Sequence, residues 1–240
     1  MNAAASLAEV LARPDVWRGD HVASAALPGV PSGFAALDAE LPGGGWPRGA
    51  LTEILLDGAG LGEVSLLMPA LLRVKEMGGW SLLVAPPHPL HAPAWAAAGA
   101  DLARLAVVSP MQRRDGLWAA EQALASGAPA AVVCWAVQAD SRQVRRLQVA
   151  AAGGNALAFL FRPARAAEDS SVAPLRLVLS NGPRGALGLS LLKRRGPPCH
   201  QTLHLDIQRP AKWRDDYEFA MAGNPSAGSS ARSRRLAVIT

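Results

Sequence analysis

The sequence predicts an α/β protein with a mostly parallel sheet, helices on both faces of that sheet and an antiparallel extension at its C-terminal end. Up to residue 161, short strands that are apolar on both faces alternate with helical segments. After residue 173 the helical segments stop, and three strands follow one another across the turn sequences NGPRG and RGPPC. Alternation of strands and helices is typical of parallel sheets, whereas strands joined by turns favour antiparallel pairing.

The elements of the first half are assigned from apolar spacing and from glycine and proline stops. They are a short amphipathic helix at 4–12 that ends before Pro14, a proline-containing linker at 13–31, a helix capped by Ser32 that reaches Leu37, a glycine turn at 43–45, a strand at 51–56, a helix at 63–77 that ends at Gly78-Gly79, a strand at 80–85 and a helix at 93–99.

The elements of the second half are assigned in the same way. They are a strand at 105–109, a helix at 115–126, a buried strand at 130–136, a helix at 141–151 and four strands at 156–161, 174–180, 187–194 and 201–207. The regular pattern ends there, and we expect a core at residues 32–208 between the N-terminal helix and linker (1–31) and a flexible basic tail (209–240).

Composition limits the classes of protein to which the chain can belong. With 240 residues, 50% of them hydrophobic and 18% charged, the chain is long enough for one substantial core. The net charge of +5 is compatible with nucleic acid or an acidic partner, but it is also common in proteins that bind neither. No apolar run is long enough to cross a bilayer, and the N-terminus lacks a secretory leader pattern, so we expect a cytoplasmic protein.

A glycine-rich stretch between the strand at 51–56 and the helix at 63–77 has the position of a phosphate-binding loop. In such a loop, backbone N–H groups at the helix start point at the anion, a lysine neutralises the outer phosphates, and a hydroxyl holds magnesium. The stretch departs from the GxxxxGK[ST] pattern at several places. Its candidate positions are Asp57, Gly58, Gly60, Gly62, Glu63 and Val64.

The loop carries a negative charge where a phosphate-binding loop has a positive one, and this argues against nucleotide binding. Gly62 occupies the place of the second glycine, but Glu63 replaces the lysine and Val64 replaces the hydroxyl residue. Asp57 stands where the first glycine belongs, and Gly58 comes one place late. A unit charge of the wrong sign at 4 Å costs about 4 kcal/mol at an effective dielectric constant of about 20. We therefore expect a tight turn in which Glu63 caps the positive helix end, and no bound cofactor.

Three stretches of the chain, within about residues 32–207, resemble RecA-type recombinases. The segment SGFAALDAELPGGGWPRGALTEI resembles the approach to the recombinase phosphate loop, SLLVAPPHPLHAPAWAAAGADLARLAVVSP resembles the stretch with its catalytic glutamate, and LGLSLLKRRGPPCHQTLHLDI resembles its late hairpin. The matching positions in the first segment are Leu37, Asp38, Gly43, Gly44, Gly45, Gly49, Glu53 and Ile54. The resemblance implies a RecA-like P-loop NTPase core.

The departures from the recombinase pattern imply that hydrolysis has been lost. Pro87 falls where the resemblance places the catalytic glutamate, and Cys134 or Trp135 falls where it places the magnesium-side aspartate. With lysine and hydroxyl also replaced, we expect a degenerate ATPase that is not an enzyme. The two DNA-binding loops of recombinases are also short here, because residues 138–142 lead directly into a helix and only 161–174 remain for the second loop.

The degenerate loop together with LPGGGWPRGALTE resembles the ImuA family, RecA-like accessory proteins of the bacterial SOS mutagenesis cassette. That resemblance implies a role in translesion DNA synthesis together with ImuB, an inactive relative of Y-family polymerases, and an error-prone DNA polymerase. It also implies contact with RecA. Direct contact with DNA is expected to be weak or indirect.

Two basic sets are candidate contact sites. Lys193, Arg194 and Arg195 match, by the resemblance, cations that reach a neighbouring subunit's ATP, so they could contact RecA's nucleotide; a solvated hairpin end is the alternative. Arg142, Arg145 and Arg146 share one helical face through their spacing, which fits either a DNA or partner patch or an ordinary solvated surface.

Aromatic residues in the basic tail are candidates for partner docking. Trp213, Tyr217 and Phe219 lie in KWRDDYEFAM, and the spacing of the first two would place them on one side of an induced helix. A tail that only promotes solubility needs no aromatic anchors. The resemblance names ImuB as the partner of this segment.

No metal or nucleophile site is predicted. His88, His91, His200 and His204 have no accompanying cysteine or carboxylate cluster, and the two cysteines, Cys134 and Cys199, are far apart. Alternatives to the adaptor are a SulA-type cell-division inhibitor that binds the division GTPase, an ATPase with an unorthodox loop, and a DNA-binding module with strongly salt-dependent affinity.

Overall fold

A computed structural model describes residues 28–58 and 60–207. The helices are α1 (Ala35–Asp38), α2 (Glu63–Glu76), α3 (Ala92–Ala97), α4 (Arg113–Ser126) and α5 (Ser141–Ala152). The strands are β1 (Ala50–Leu56), β2 (Ser81–Val84), β3 (Leu105–Val108), β4 (Ala131–Trp135), β5 (Leu157–Pro163), β6 (Leu175–Asn181), β7 (Leu187–Lys193) and β8 (Thr202–Leu205). The elements predicted from 32 to 207 are confirmed to within a few residues, whereas the predicted helix at 4–12 and the tail at 209–240 lie outside the described residues.

The eight strands form one mixed sheet in the order β3-β2-β4-β5-β1-β6-β7-β8. The first six strands run parallel, and β7 and β8 are antiparallel to their neighbours. The prediction that all three late strands belong to an antiparallel extension is wrong for the strand at 174–180, because β6 pairs parallel with β1. The segment between β5 and β6 carries the chain back to the amino end of the sheet, so an apolar strand can enter beside β1 in the same direction.

The core lies on both faces of the sheet. Alternate side chains of each strand point to opposite faces, so Ile54 and Leu83 pack beneath α2 while Leu51 and Leu82 pack beneath α4 and α5. The predicted cover of helices on both faces is therefore confirmed. The arrangement places the end of β1 in the middle of the sheet, where it leads into α2.

Ser32 does not cap α1 in the predicted way. Phe34 occupies the N-cap position, and the Ser32 hydroxyl accepts a hydrogen bond from the Phe34 amide at 3.1 Å. Gly33 between them has a φ of 87°, a left-handed conformation that breaks the helical path before Phe34. The helix is therefore one turn that ends at Asp38, whose carboxylate accepts from the Ser32 amide at 2.8 Å.

The longer helices begin and end at recognisable signals. Asp140 and Gln143 form a reciprocal capping box at the start of α5, with hydrogen bonds of 2.8 Å and 3.0 Å. Gly127 ends α4 in a left-handed conformation. Within 28–58 and 60–207, every helix is too short or too polar to cross a bilayer.

Candidate functional site

The glycine-rich loop joins β1 to α2 at the carboxyl edge of the parallel strands. The Asp57 amide donates to the Leu179 carbonyl on β6 at 3.2 Å, which continues the pairing just beyond β1. Gly58, Gly60 and Gly62 have φ values of 149°, 71° and 93°, which residues with a side chain rarely adopt. Gly62 is the N-cap of α2. The loop therefore brings bare backbone to a helix start, as a phosphate-binding loop does.

Glu63 contacts the amide at this helix start. Its carboxylate oxygen Oε2 accepts a hydrogen bond from the backbone N–H of Gly62 at 3.1 Å. Glu63 is also the first residue of α2, where a negative charge is favoured by the positive end of the helix. The Glu63 carboxylate thus already accepts from a backbone amide that could otherwise bind an anion. A phosphate placed at the helix start would be repelled by this carboxylate.

The surroundings of the helix start are apolar. Val64, in the place of a magnesium-binding hydroxyl, packs against the core beneath α2. Trp135, at the carboxyl end of β4, packs against Phe161 of β5 with ring centroids 5.0 Å apart. Both rings and Val64 line one apolar depression. These side chains offer no ligand for magnesium and no base for a water molecule.

The other position predicted for the lost aspartate, Cys134, lies on the opposite face of the sheet from the loop. It belongs to the core beneath α4 and α5, with Sγ 4.0 Å from the Gly116 carbonyl oxygen. Burial raises the pKa of the Cys134 thiol from 9.0 to about 12. The thiol is therefore protonated at neutral pH and is neither a ligand nor a nucleophile. Pro87 is exposed in the connection that follows β2.

A buried ionic cluster, formed by Glu53, Arg162 and Arg176, joins the neighbouring strands β5, β1 and β6. Glu53 of β1 is fully buried and accepts from Arg162 of β5 at 2.8 Å and from Arg176 of β6 at 2.7 Å. This cluster was not predicted from the sequence. The available signal was one acidic and two basic residues within strands that are otherwise apolar, because buried charges require partners.

The ionic cluster also holds the two connections that follow β4 and β5. Arg162 donates to the Ala139 carbonyl at 2.8 Å and to the Asp169 carboxylate at 3.1 Å. Arg176 donates to the carbonyls of Asp169 and Ala166 at 3.0 Å and 2.6 Å. These connections correspond to the places where the resemblance to recombinases would put DNA-binding loops, and here both are fixed to the sheet by buried arginines.

Two of the three hairpin cations have partners within the chain. Lys193 donates to the Ser171 carbonyl at 2.8 Å. Arg194 pairs with the Glu40 carboxylate at 2.6 Å and also contacts the Glu40 carbonyl. These two contacts join the end of β7 to the segment after α1. Arg195 is exposed. The structure therefore presents Arg195 to solvent, while Lys193 and Arg194 hold the hairpin in place.

The three arginines of α5 share an exposed face, as their spacing predicted. Arg142, Arg145 and Arg146 are all exposed, and Arg146 bridges to Glu121 of α4 at 2.7 Å. The bridge places the set beside α4 rather than beside the glycine-rich loop.

The remaining candidates are not brought together. Trp213, Tyr217 and Phe219 lie outside the described residues. His88, His91, His200 and His204 are exposed, and within the described ranges no group of three or more histidine, cysteine or acidic residues is placed to hold a metal ion.

Comparison with known proteins gives two kinds of match. A family model described as cell division inhibitor SulA matches residues 49–158, from the start of β1 to the start of β5. Cell division inhibitor SulA of Photorhabdus laumondii is 32% identical over 111 residues, which is 46% of this chain and 63% of that protein.

The second kind of match is to RecA proteins. Protein RecA of Lactobacillus delbrueckii is 35% identical over 111 residues, which is 46% of this chain and 33% of that protein. Protein RecA of Picosynechococcus is 32% identical over 110 residues, with 46% of this chain and 31% of that protein covered. The chain thus spans about a third of the RecA proteins that it matches and under two thirds of the SulA protein. The chain is similar to both RecA and SulA over nearly half of its length.

Proposed function

We propose that the chain is a RecA-like adaptor that acts in the response to DNA damage by binding other proteins and does not hydrolyse nucleotide. The observation that carries the proposal is the hydrogen bond from the Gly62 amide to the Glu63 carboxylate, because it places a negative charge where a triphosphate would bind. The glycine-rich loop between β1 and α2 and the similarity to RecA proteins support the RecA-like core.

The surroundings of the loop support a role without catalysis. Hydrolysis of a triphosphate needs a cation on the outer phosphates, a metal-binding group and a residue that orients water. The resemblance places three of the groups involved at Val64, at Pro87 and at Cys134 or Trp135, and none of these residues can supply that chemistry. The exposed surfaces of the helices and connections remain available for binding other proteins.

The resemblance to ImuA proteins supports ImuB as a partner, and RecA and an error-prone polymerase as members of the same assembly. The tail after residue 208, with Trp213, Tyr217 and Phe219, is the segment that we propose binds ImuB. Aromatic anchors in a short segment are a common means of such binding.

A binding assay with immobilised ImuB tests this function. We expect the full chain to bind with or without ATP and magnesium, and a chain that ends at Ile207 to bind at least tenfold more weakly, a loss of about 1.4 kcal/mol. A triple Trp213→Ala, Tyr217→Ala, Phe219→Ala variant should reproduce the loss, while Arg195→Ala should not. Undiminished binding by the shortened chain would refute docking by the tail, and no binding by the full chain would refute the adaptor.

A SulA-type inhibitor of cell division is the second candidate, and the family match at residues 49–158 favours it. The two candidates differ in what they do in cells. Expression of an inhibitor should produce filamentous cells and binding to the division GTPase, whereas deletion of an adaptor should reduce mutation after DNA damage without changing cell length. Filamentation that persists without residues 208–240 would favour the inhibitor.

A further inference from the structure

Trp118 on α4 is a large aromatic side chain that the fold leaves in solvent. It is 60% exposed, whereas Trp46 and Trp95 are buried in the core and Trp135 packs against Phe161. An indole at this exposure contributes little to the core and leaves a ring face open for contact.

The bridge between Arg146 and Glu121 sets the register of α4 against α5. Both helices connect parallel strands of one sheet and cover the same face, so they run in the same direction. Arg146 Nη2 lies 2.7 Å from Glu121 Oε2, which puts these two residues at one level. About one turn earlier on each helix come Trp118 and Arg142, which therefore lie at a common level on the outer surface.

Exposed arginines accompany Trp118 on these two helices. We call this surface the α4–α5 face and define it by Arg114, Trp118, Arg142, Arg145 and Arg146. Its four arginines are exposed, and two acidic side chains accompany them. Asp115 contacts Arg114 only at 3.8 Å, and Glu121 bridges Arg146, so Arg142 and Arg145 have no ionic partner among the described residues.

An exposed indole beside exposed guanidinium groups suits a polyanion that carries aromatic rings. The π-face of any nucleobase can stack on an indole, and guanidinium groups contact phosphates. A partner helix, in contrast, requires a row of apolar side chains on the receiving surface. In α4 and α5, Trp118 and Val149 are the large apolar side chains that the structure exposes, which is too few for such a row.

We propose that the α4–α5 face binds single-stranded nucleic acid, with a base stacked on Trp118 and phosphates on Arg142 and the neighbouring arginines. The surface lies over α4 and α5, and at Arg142 it begins directly after the connection from β4 that Arg162 holds in place. Binding there would be independent of nucleotide at the glycine-rich loop and of sequence in the strand.

Fluorescence anisotropy of a labelled oligothymidylate with the full chain tests the proposal. We expect Trp118→Ala to weaken binding about tenfold or more and Trp118→Phe to retain most of it, because stacking is worth about 1–3 kcal/mol per base. The double variant Arg142→Ala, Arg145→Ala should lower the slope of log affinity against log salt by about 1.4, since each phosphate contact on a single strand contributes about 0.7. Arg73→Ala on α2 is the matched control, because Arg73 is an exposed arginine on the opposite face of the sheet.

Each outcome decides the proposal. Weaker oligothymidylate binding by Trp118→Ala together with unchanged binding by Arg73→Ala supports the proposal. Quenching of tryptophan fluorescence by the oligothymidylate in the wild type but not in Trp118→Phe would locate the contact at Trp118. No binding by the wild type, equal loss in the control, or full binding by Trp118→Ala would overturn it. Polyglutamate that competes as well as oligothymidylate would also overturn it, in favour of an acidic protein partner. Because the replaced side chains are exposed, the variants should fold, which circular dichroism would verify.

Discussion

The carboxylate of Glu63 accepts a hydrogen bond from the backbone N–H of Gly62, the residue that precedes it, over 3.1 Å. The contact stabilises the start of α2 with a charge from the chain itself, in a loop whose shape is otherwise that of an anion site. It also places that charge against any incoming phosphate. One side chain thus serves the fold and opposes a nucleotide.

Replacement of Glu63 should therefore cost stability. We expect Glu63→Ala to lower the free energy of unfolding by about 0.5–1 kcal/mol, because the helix start loses both a hydrogen bond and a favourable charge. Urea denaturation provides the measurement. Glu76→Ala, at the other end of the same helix and paired with exposed Arg73, should change the value by less than about 0.5 kcal/mol. Equal effects at the two positions would mean that Glu63 does not cap the helix.

The ionic cluster should be far more sensitive to mutation. Glu53→Gln conserves volume but leaves Arg176 with no acidic partner among the described residues and Arg162 with only the exposed Asp169. We therefore expect a loss of about 3–5 kcal/mol. Glu76→Gln is the exposed control and should be nearly neutral. A loss below about 1 kcal/mol for Glu53→Gln, measured by urea denaturation, would mean that water enters the cluster and compensates the arginines.

Release of the connections after β4 and β5 should accompany that loss. Because Arg162 and Arg176 bind the carbonyls of Ala139 and Ala166, a disturbed cluster should free both segments. Hydrogen exchange monitored by mass spectrometry should show faster exchange at residues 136–140 and 164–170 in Glu53→Gln. Unchanged exchange in both segments would contradict this role of the arginines.

The pair of Glu40 and Arg194 should behave as a coupled unit. Arg194→Glu places two carboxylates together and should lower stability by about 1–2 kcal/mol, and the exchanged pair Glu40→Arg, Arg194→Glu should restore part of the loss. Arg195→Glu, one residue further along the exposed hairpin, should fall within about 0.5 kcal/mol of the wild type. Additive single effects in the double-mutant cycle would show that the two side chains do not interact.

The cysteines should differ in reactivity, and Cys134 should make stability depend on alkaline pH. A thiol reagent should modify Cys199 in the native protein and both cysteines after unfolding, because Cys134 is buried.

The folded pKa of Cys134, about 12, exceeds the ordinary value of 9.0, so the folded state holds its proton up to a higher pH than the unfolded state does. Stability should therefore fall as pH rises above 9.0, by up to about 1.4 kcal/mol per pH unit, and Cys134→Ala should lack this component. Parallel pH profiles for the two proteins would contradict the shift.

The order of strands and helices was predictable because the chain obeys simple periodicities. Apolar runs such as AAVVCWA are buried on both faces, and glycines such as Gly127 end helices where the pattern ends. The direction of β6 was not predictable in the same way. Its pattern suits a parallel or an antiparallel neighbour equally, and only the path of residues 164–174 decides between them.

The site was predictable in composition but not in its contacts. The loss of the lysine and a capping role for Glu63 could be read from the sequence, whereas the choice of the Gly62 amide as donor depends on backbone geometry that sequence does not specify. Glu53, the shared partner of Arg162 and Arg176, and Glu40, the partner of Arg194, are more than 100 residues away from these arginines, so local spacing could not reveal them. The exposure of Trp118 likewise follows from how α4 packs on the sheet.

Calorimetric titration of the full chain with ATP and magnesium, with a RecA recombinase as the positive control, shows whether the glycine-rich loop excludes nucleotide. We expect no saturable binding up to millimolar ATP, because Glu63 occupies the helix start where a phosphate-binding loop has its lysine. Binding of one ATP per chain in the micromolar range would contradict this expectation, since the loop would then accept a triphosphate despite its own carboxylate.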